Sequence, residues 1–178
     1  GTPINNSAII STPLEGYADD NSVSIEATVP LFDLAWSASG GTFGDGDWGD
    51  YDNDGDLDVL LIGDGDQSHL YENAGGTLVE DAAAQIAGGT YSASAWGDYD
   101  GDGDLDLAVM GHDPFSYIYE NVGGTFVTDT VSSDALMQLT FGNLDWGDCD
   151  GDGDLDLVQC GRLDGQDWGG RCAVYENT

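Results

Sequence analysis

Three copies of one acidic block constrain this chain more than any other feature. They are Trp48-Gly49-Asp50-Tyr51-Asp52-Asn53-Asp54-Gly55-Asp56-Leu57-Asp58, Trp96-Gly97-Asp98-Tyr99-Asp100-Gly101-Asp102-Gly103-Asp104-Leu105-Asp106 and Trp146-Gly147-Asp148-Cys149-Asp150-Gly151-Asp152-Gly153-Asp154-Leu155-Asp156. The tryptophans fall 48 and 50 residues apart. Each block runs into an apolar stretch that ends at Gly63, Gly111 or Gly161. Each then reaches a Tyr-Glu-Asn triplet that starts at Tyr71, Tyr119 or Tyr175. Gly-Gly-Thr and an apolar residue follow the first two triplets, from Gly75 to Leu78 and from Gly123 to Phe126. Internal repetition at a period of about 50 residues is the signature of a repeat architecture.

Within a period the pattern is that of short strands. Asp104-Leu105-Asp106-Leu107-Ala108-Val109-Met110 leaves the acidic loop as a strand, and Phe115-Ser116-Tyr117-Ile118-Tyr119 alternates as its hairpin partner. Thr125-Phe126-Val127-Thr128 reads as a third strand, and the stretch before each Trp as a fourth. Four short strands in about 50 residues is the size of one propeller blade. No window carries a helical stripe, and Asp, Asn and Gly are poor helix formers. The expected fold is all-β, a β-propeller-type repeat of three four-stranded blades in an incomplete or open ring.

The spacing Asp-x-Asp-x-Asp-Gly-x-x-Asp has a direct chemical reading. Calcium takes six to eight hard oxygen ligands in a compact cage. Carboxylates at loop positions 1, 3, 5 and 9 aim inward, position 7 offers its backbone carbonyl, and Gly at position 6 permits the tight turn. The three expected Ca²⁺ sites are therefore Asp50, Asp52, Asp54, Asp58 with the carbonyl of Asp56; Asp98, Asp100, Asp102, Asp106 with Asp104; and Asp148, Asp150, Asp152, Asp156 with Asp154. An EF-hand needs Glu at position 12 and flanking helices. Position 12 here is Leu61, Val109 or Gln159, and the flanks are strands, so that motif and dockerin-type loops are rejected. The competing reading is three solvated acidic turns, but twelve clustered carboxylates repel one another without a cation. Magnesium suits the loops less well, because it prefers a smaller octahedral shell that keeps several waters.

These blocks resemble FG-GAP-like or VCBS repeats, the bacterial relatives of the integrin alpha-chain propeller, over roughly residues 36 to 177. The resemblance implies an extracellular β-propeller with structural calcium between the first two strands of each blade. It also implies roles in adhesion, surface assembly or glycan recognition. It carries the Asp positions above onto this chain and nothing catalytic. The Gly-Ala-Pro element of integrin repeats is not visible, and three repeats fall short of the four to eight blades of closed propellers.

Composition narrows the function. The 178 residues carry 35 Asp and Glu against 2 Lys and Arg, a formal charge of −33. Such a chain is repelled by nucleic acid and by anionic membranes. The two bases are Arg162 and Arg171; with no Lys, Schiff-base chemistry and a lysine-bearing phosphate loop are excluded. Hydrophobic residues make up 40%, too many for a disordered acidic tail. The longest aliphatic run, Val59-Leu60-Leu61-Ile62, is too short to cross a bilayer. Starting at Gly1 without a signal segment, the sequence is expected to be a processed or excised product.

The ends of the chain suggest how the ring is completed. Repeats are expected at about 36–83, 84–133 and 134–178, and the third stops after its Tyr-Glu-Asn without a fourth strand. Ser22-Val23-Ser24-Ile25-Glu26-Ala27-Thr28-Val29 alternates like a strand, inside a module spanning 22–178. Residues 22–29 of one chain are expected to complete the third blade of the next, and such head-to-tail contacts build filaments. The alternatives are completion in cis and a fragment that meets the remaining blades of a larger propeller. Residues 1–21 read as an extension or linker, with one glycosylation sequon at Asn5-Asn6-Ser7.

The third repeat departs from the others. Its hairpin is six residues longer, and the extra residues sit within 162–171. Cys160 and Cys172 flank this insertion and are expected to form a disulfide. The bond would be worth about 2–3 kcal/mol by the loop-entropy argument and fits an oxidising, extracellular setting. Cys149 is left over, in the slot of Tyr51 and Tyr99. The inserted loop holds Arg162, Trp168 and Arg171, a candidate surface for a glycan or a cell-surface protein. His69 and His112 lie at different places in their repeats, with no Ser or Cys at catalytic spacing, and read as structural. Glu72, Glu120 and Glu176 occupy equivalent places and read as strand-end residues. No acid pair stands out as glycosidase-like. The expectation is a non-enzymatic, calcium-stabilised structural module.

Overall fold

A computed structural model describes residues 7–10, 25–28, 34–38, 44–63, 68–112, 115–163 and 169–178. The chain forms two units, Gly1–Ala38 and Ser39–Thr178.

The first unit contains one antiparallel pair, β1 (Ser7–Ile10) and β2 (Ile25–Thr28), with Ser7 opposite Thr28 and Ile10 opposite Ile25. Within residues 1–21, expected as an extension or linker, Ser7–Ile10 forms β1. The strand expected within 22–29 is present as β2 and pairs with β1.

The second unit holds three antiparallel sheets, one per repeat. Sheet one is β3 (Asp45–Gly49), β4 (Asp58–Ile62), β5 (His69–Asn73) and β6 (Leu78–Glu80). Sheet two is β7 (Ala93–Gly97), β8 (Asp106–Gly111), β9 (Phe115–Asn121) and β10 (Phe126–Asp129). Sheet three has three strands, β11 (Leu139–Gly147), β12 (Asp156–Leu163) and β13 (Gly170–Tyr175). The sheets run in chain order and form no closed ring, and the expectation of three four-stranded sheets holds for two. The first strands of neighbouring sheets are adjacent, β7 lying against both β3 and β11.

Alternation of side chains explains the stack. In β8, Leu107 and Val109 face the first sheet and join Leu60, Ile62 and Leu70 in one core cluster. Ala108 and Met110 face the third sheet and join Leu139, Leu144 and Leu157 in a second. Every residue of β8 is buried, because this strand has a neighbouring sheet on both faces. A six-residue helix, α1 (Thr130–Ala135), follows β10 and departs from the all-strand expectation. Fewer than two turns leave no periodic stripe in the sequence. Its cap is local: Asp129 Oδ1 accepts from the amides of Val131 (2.9 Å) and Ser132 (3.1 Å).

Tryptophan and glycine set the spacing between sheets. Trp96 lies on Gly49 and Trp146 lies on Gly97. A Cβ added at Gly97 would stand 2.6 Å from Trp146 Cδ1. The Trp146 indole also donates to Ala95 O at 3.1 Å. The Trp-Gly pair thus works across repeats, each Trp covering the Gly of the repeat before it. Gly97→Val is expected to cost about 1–3 kcal/mol through overpacking. Thermal unfolding followed by circular dichroism reads this as a lowered melting temperature.

Candidate metal sites

Each acidic loop joins the first two strands of its sheet, so its two ends are fixed as one cross-strand pair. Gly49 opposes Asp58, Gly97 opposes Asp106, and Gly147 opposes Asp156. The loops then turn on left-handed residues. Position 6 is Gly55, Gly103 or Gly153, with φ of 94°, 99° and 105°. Position 4 is also left-handed, at Asn53 (60°), Gly101 (76°) and Gly151 (83°). Asn is among the few non-glycine residues that adopt this conformation readily.

The turns gather carboxylates. Oxygens of Asp50, Asp52 and Asp58 lie within 4.8 Å of one another, as do those of Asp98, Asp100 and Asp106 and those of Asp148, Asp150 and Asp156. Positions 1, 3 and 9 therefore converge in all three loops. Position 5 does not join them at that distance. Asp54, Asp102 and Asp152 instead accept from the amide two residues on, at 2.9, 2.9 and 3.1 Å. The residues at position 7 were expected for their carbonyls, yet the Asp104 side chain has a task of its own. It accepts from Asn53 Nδ2 (2.7 Å) in the first loop and from Gly123 N (3.0 Å).

The gathered carboxylates are oriented by backbone N–H groups. Asp98 accepts from Gly101 N (2.8 Å) and Gly103 N (3.1 Å), and Asp148 from Gly151 N (2.6 Å) and Gly153 N (3.2 Å). Asp50 Oδ2 accepts from Gly55 N (3.1 Å), while its Oδ1 is buried without a hydrogen-bond partner. A buried carboxylate oxygen left in this state is costly. A cation at the triad would satisfy it, so the donor set fits a hard metal ion.

Position 9 is the deepest member. Asp58, Asp106 and Asp156 are 1%, 0% and 2% exposed. In each case one oxygen accepts from the amide of loop position 2 and the other from the Asn of the Tyr-Glu-Asn triplet. For Asp106 these are Tyr99 N (3.0 Å) and Asn121 N (2.8 Å). Asp58 uses Tyr51 N and Asn73 N, and Asp156 uses Cys149 N and Asn177 N. Burial pushes Asp106 up to about 6 and Asp58 up as well, against the pull of those backbone donors. Asp156 is held down, first by the Cys149 thiol. The same contact pushes Cys149 up to about 11, so this exposed thiol is a poor nucleophile.

The triplet's asparagine was the residue the repeat pattern signalled without revealing its work. Asn121 Nδ2 donates to Tyr51 O (2.7 Å) in the first loop and to Leu105 O (3.1 Å) in its own. Asn177 Nδ2 donates to Tyr99 O (2.7 Å). Each therefore ties its own acidic loop to the loop before it. Asn121 Oδ1 also accepts from Gly124 N (2.7 Å), which accounts for the Gly-Gly turn that follows. Glu in the middle of the triplet has no comparable role.

The remaining candidates separate. Cys160 and Cys172 sit directly opposite on β12 and β13, with Cα atoms 4.1 Å apart, and are bonded. Arg162 opposes Gly170 while Arg171 opposes Gly161, so the two arginines occupy opposite faces of the hairpin and do not form one joint surface. Trp168 lies outside the described residues. Arg162 stands 5.0 Å over the Phe141 ring, which also meets Tyr91 (4.4 Å) and His112 (5.2 Å). His69 pairs with Glu80 at 2.7 Å.

In metal-free protein the folded state binds a proton at Asp106 more tightly than the unfolded chain does. This group's contribution to stability is therefore full below its ordinary 3.8 and is lost as pH rises through about 6. Carboxyl-detected NMR in chelator should give an Asp106 midpoint near 6, and a metal ion should move it down. A midpoint at the ordinary 3.8 in chelator would contradict the burial argument.

No curated protein matches the chain significantly. The family model described as the FG-GAP-like repeat matches residues 50–109 and 98–158. These spans start and end at the acidic loops and strands described above and cover more than half of the sequence. The chain belongs to the FG-GAP-like repeat family.

Proposed function

We propose that the chain is a non-enzymatic, calcium-stabilised structural module of β-propeller type, working outside the cell as a self-assembling surface or filament subunit. The observation that carries the metal is the threefold carboxylate triad, with the partnerless Asp50 Oδ1 at one of its members. Calcium suits it best, because the donors are hard oxygens in a loop that offers carbonyls as well. In this reading positions 1, 3, 5 and 9 and the carbonyls of Asp56, Asp104 and Asp154 complete the cages. The Cys160–Cys172 bond supports an oxidising compartment.

Self-assembly rests on the edge of the third sheet. Among the described residues β13 lies at that edge, and Val174 on it is 59% exposed. An unpaired edge accepts a strand from another chain. Residues 22–29 supply it, released from their pairing with residues 7–10. A second reading is an adhesion module for a glycan or a cell-surface protein. The Arg162–Phe141–Tyr91–His112 cluster favours it, since aromatic faces beside a guanidinium suit such ligands.

Titration calorimetry with Ca²⁺ should give three sites per chain, and no heat or stabilisation would remove the metal. Chelator and low salt together should unfold the protein before either does alone, because the released carboxylates then repel unscreened. Deleting residues 1–30 should abolish strand-donated oligomers by light scattering, and assembly that persists would exclude that donor.

A further inference from the structure

The first strands of the three sheets meet along a groove of about 340 Å³, with β7 between β3 and β11. Its walls include Asp45, Asp47 and Trp48 of β3, Ser94 and Trp96 of β7, and Asp145 of β11. All three repeats therefore build it. None of its acids belongs to the carboxylate triads of the loops. The repeats are unlike one another here. The residue before the Trp is Asp47 in the first repeat and Asp145 in the third, but Ala95 in the second.

Backbone amides hold these acids in place. Asp45, Asp47 and Asp145 each accept at Oδ1 from the amide of the next residue, at 2.9, 2.9 and 3.0 Å. Asp45 Oδ2 also accepts from Ser94 N on β7 at 3.4 Å. Burial pushes Asp47 up against the pull of the Trp48 amide, and the charges of Asp45 and Asp145 push it further. Neither Arg162 nor Arg171 lines the groove, so the chain's own bases do not balance it.

Ser94 adds an independent sign of a ligand. The residue is only 6% exposed, and its Oγ is buried without a hydrogen-bond partner in the wall between the acids of β3 and β11. A buried hydroxyl left in this state is costly. An N–H placed in the groove would give it a donor.

The shape of the groove selects among cations. Carboxylate oxygens of each loop triad lie within 4.8 Å of one another, but among the described residues no such group includes Asp45, Asp47 or Asp145. A bare metal ion finds no cage here. Tryptophan walls suit an ammonium group and the methylenes that carry it. The volume is that of a small-molecule site.

We propose that this groove binds a small organic cation, a linear di- or polyamine. Its ammonium groups reach Asp45 and Asp47 on one side and Asp145 on the other. Its methylenes lie along Trp48 and Trp96, and one N–H donates to Ser94 Oγ. This ligand site goes beyond the structural and adhesive readings above and rests on neither.

The test is calorimetric titration of spermidine into the full chain, with the chain held in Ca²⁺ and moderate salt. One spermidine should bind per chain. Asp47→Asn and Asp145→Asn should each weaken binding about tenfold. Asp134→Asn removes the same charge from the exposed side of α1 and should leave the affinity unchanged. Ser94→Ala keeps the charge. It should weaken spermidine about threefold while the ligand-free melting temperature holds or rises, because an unpaired buried hydroxyl has gone. Absence of spermidine binding would overturn the proposal. So would equal losses in Asp134→Asn and the groove variants, which leave only diffuse attraction to an acidic surface. Mg²⁺ or further Ca²⁺ displacing spermidine one for one would assign the groove to a metal ion instead. Where Asp47→Asn does not fold, Asp145→Asn and Ser94→Ala decide, and parent-like affinity in both would overturn the site.

Discussion

At the foot of each second strand a carboxylate is withdrawn from water and held by two amides that are distant in sequence. Asp106 joins Tyr99 N, at the start of its own loop, to Asn121 N, at the end of the next hairpin. Asp58 and Asp156 repeat the arrangement. A buried carboxylate with both oxygens occupied fixes two chain segments at once, because breaking either bond strands a charge in a dry site. The acidic loop, the first two strands and the hairpin end thus form one unit. The carboxylate triad is built on this anchor, since Asp58, Asp106 and Asp156 are also its most buried members.

From that anchor the stack propagates. The asparagine whose amide N–H holds the carboxylate uses its side chain to reach the preceding loop. Trp and Gly complete the joint, a flat ring lying on a position with no side chain. Stability then spreads between neighbours rather than from one central core, as the two separate core clusters on either face of β8 indicate.

Charge acts on two levels. Most of the −33 is solvated and screened, and with two arginines it has little internal relief. In the loops, however, backbone amides supply the positive ends of dipoles directly to the carboxylates. They orient the carboxylates but do not neutralise them. The upward push on Asp106 and the bare Asp50 Oδ1 are the residue of that shortfall, and both would be relieved by a cation.

What the residues determined by themselves was the repeat, its strand pattern, the acidic loops and the cysteine pair. All follow from short-range rules: period-two alternation, turn residues with positive φ, and cysteines flanking one insertion. Position 9 was legible as a member of the acidic cluster, but its burial was not, since a carboxylate's depth depends on what the next hairpin lays over it. Tertiary structure alone decided the duty of Asn73, Asn121 and Asn177, the use of the Asp104 side chain, and the pairing of residues 25–28 with 7–10. It also separated Arg162 from Arg171, because strand register, not sequence spacing, sets which face a residue occupies. The reason is common to all these cases. Local propensity fixes the conformation of a segment, whereas the partner of a polar side chain is chosen by which distant backbone the packing brings within three ångströms of it.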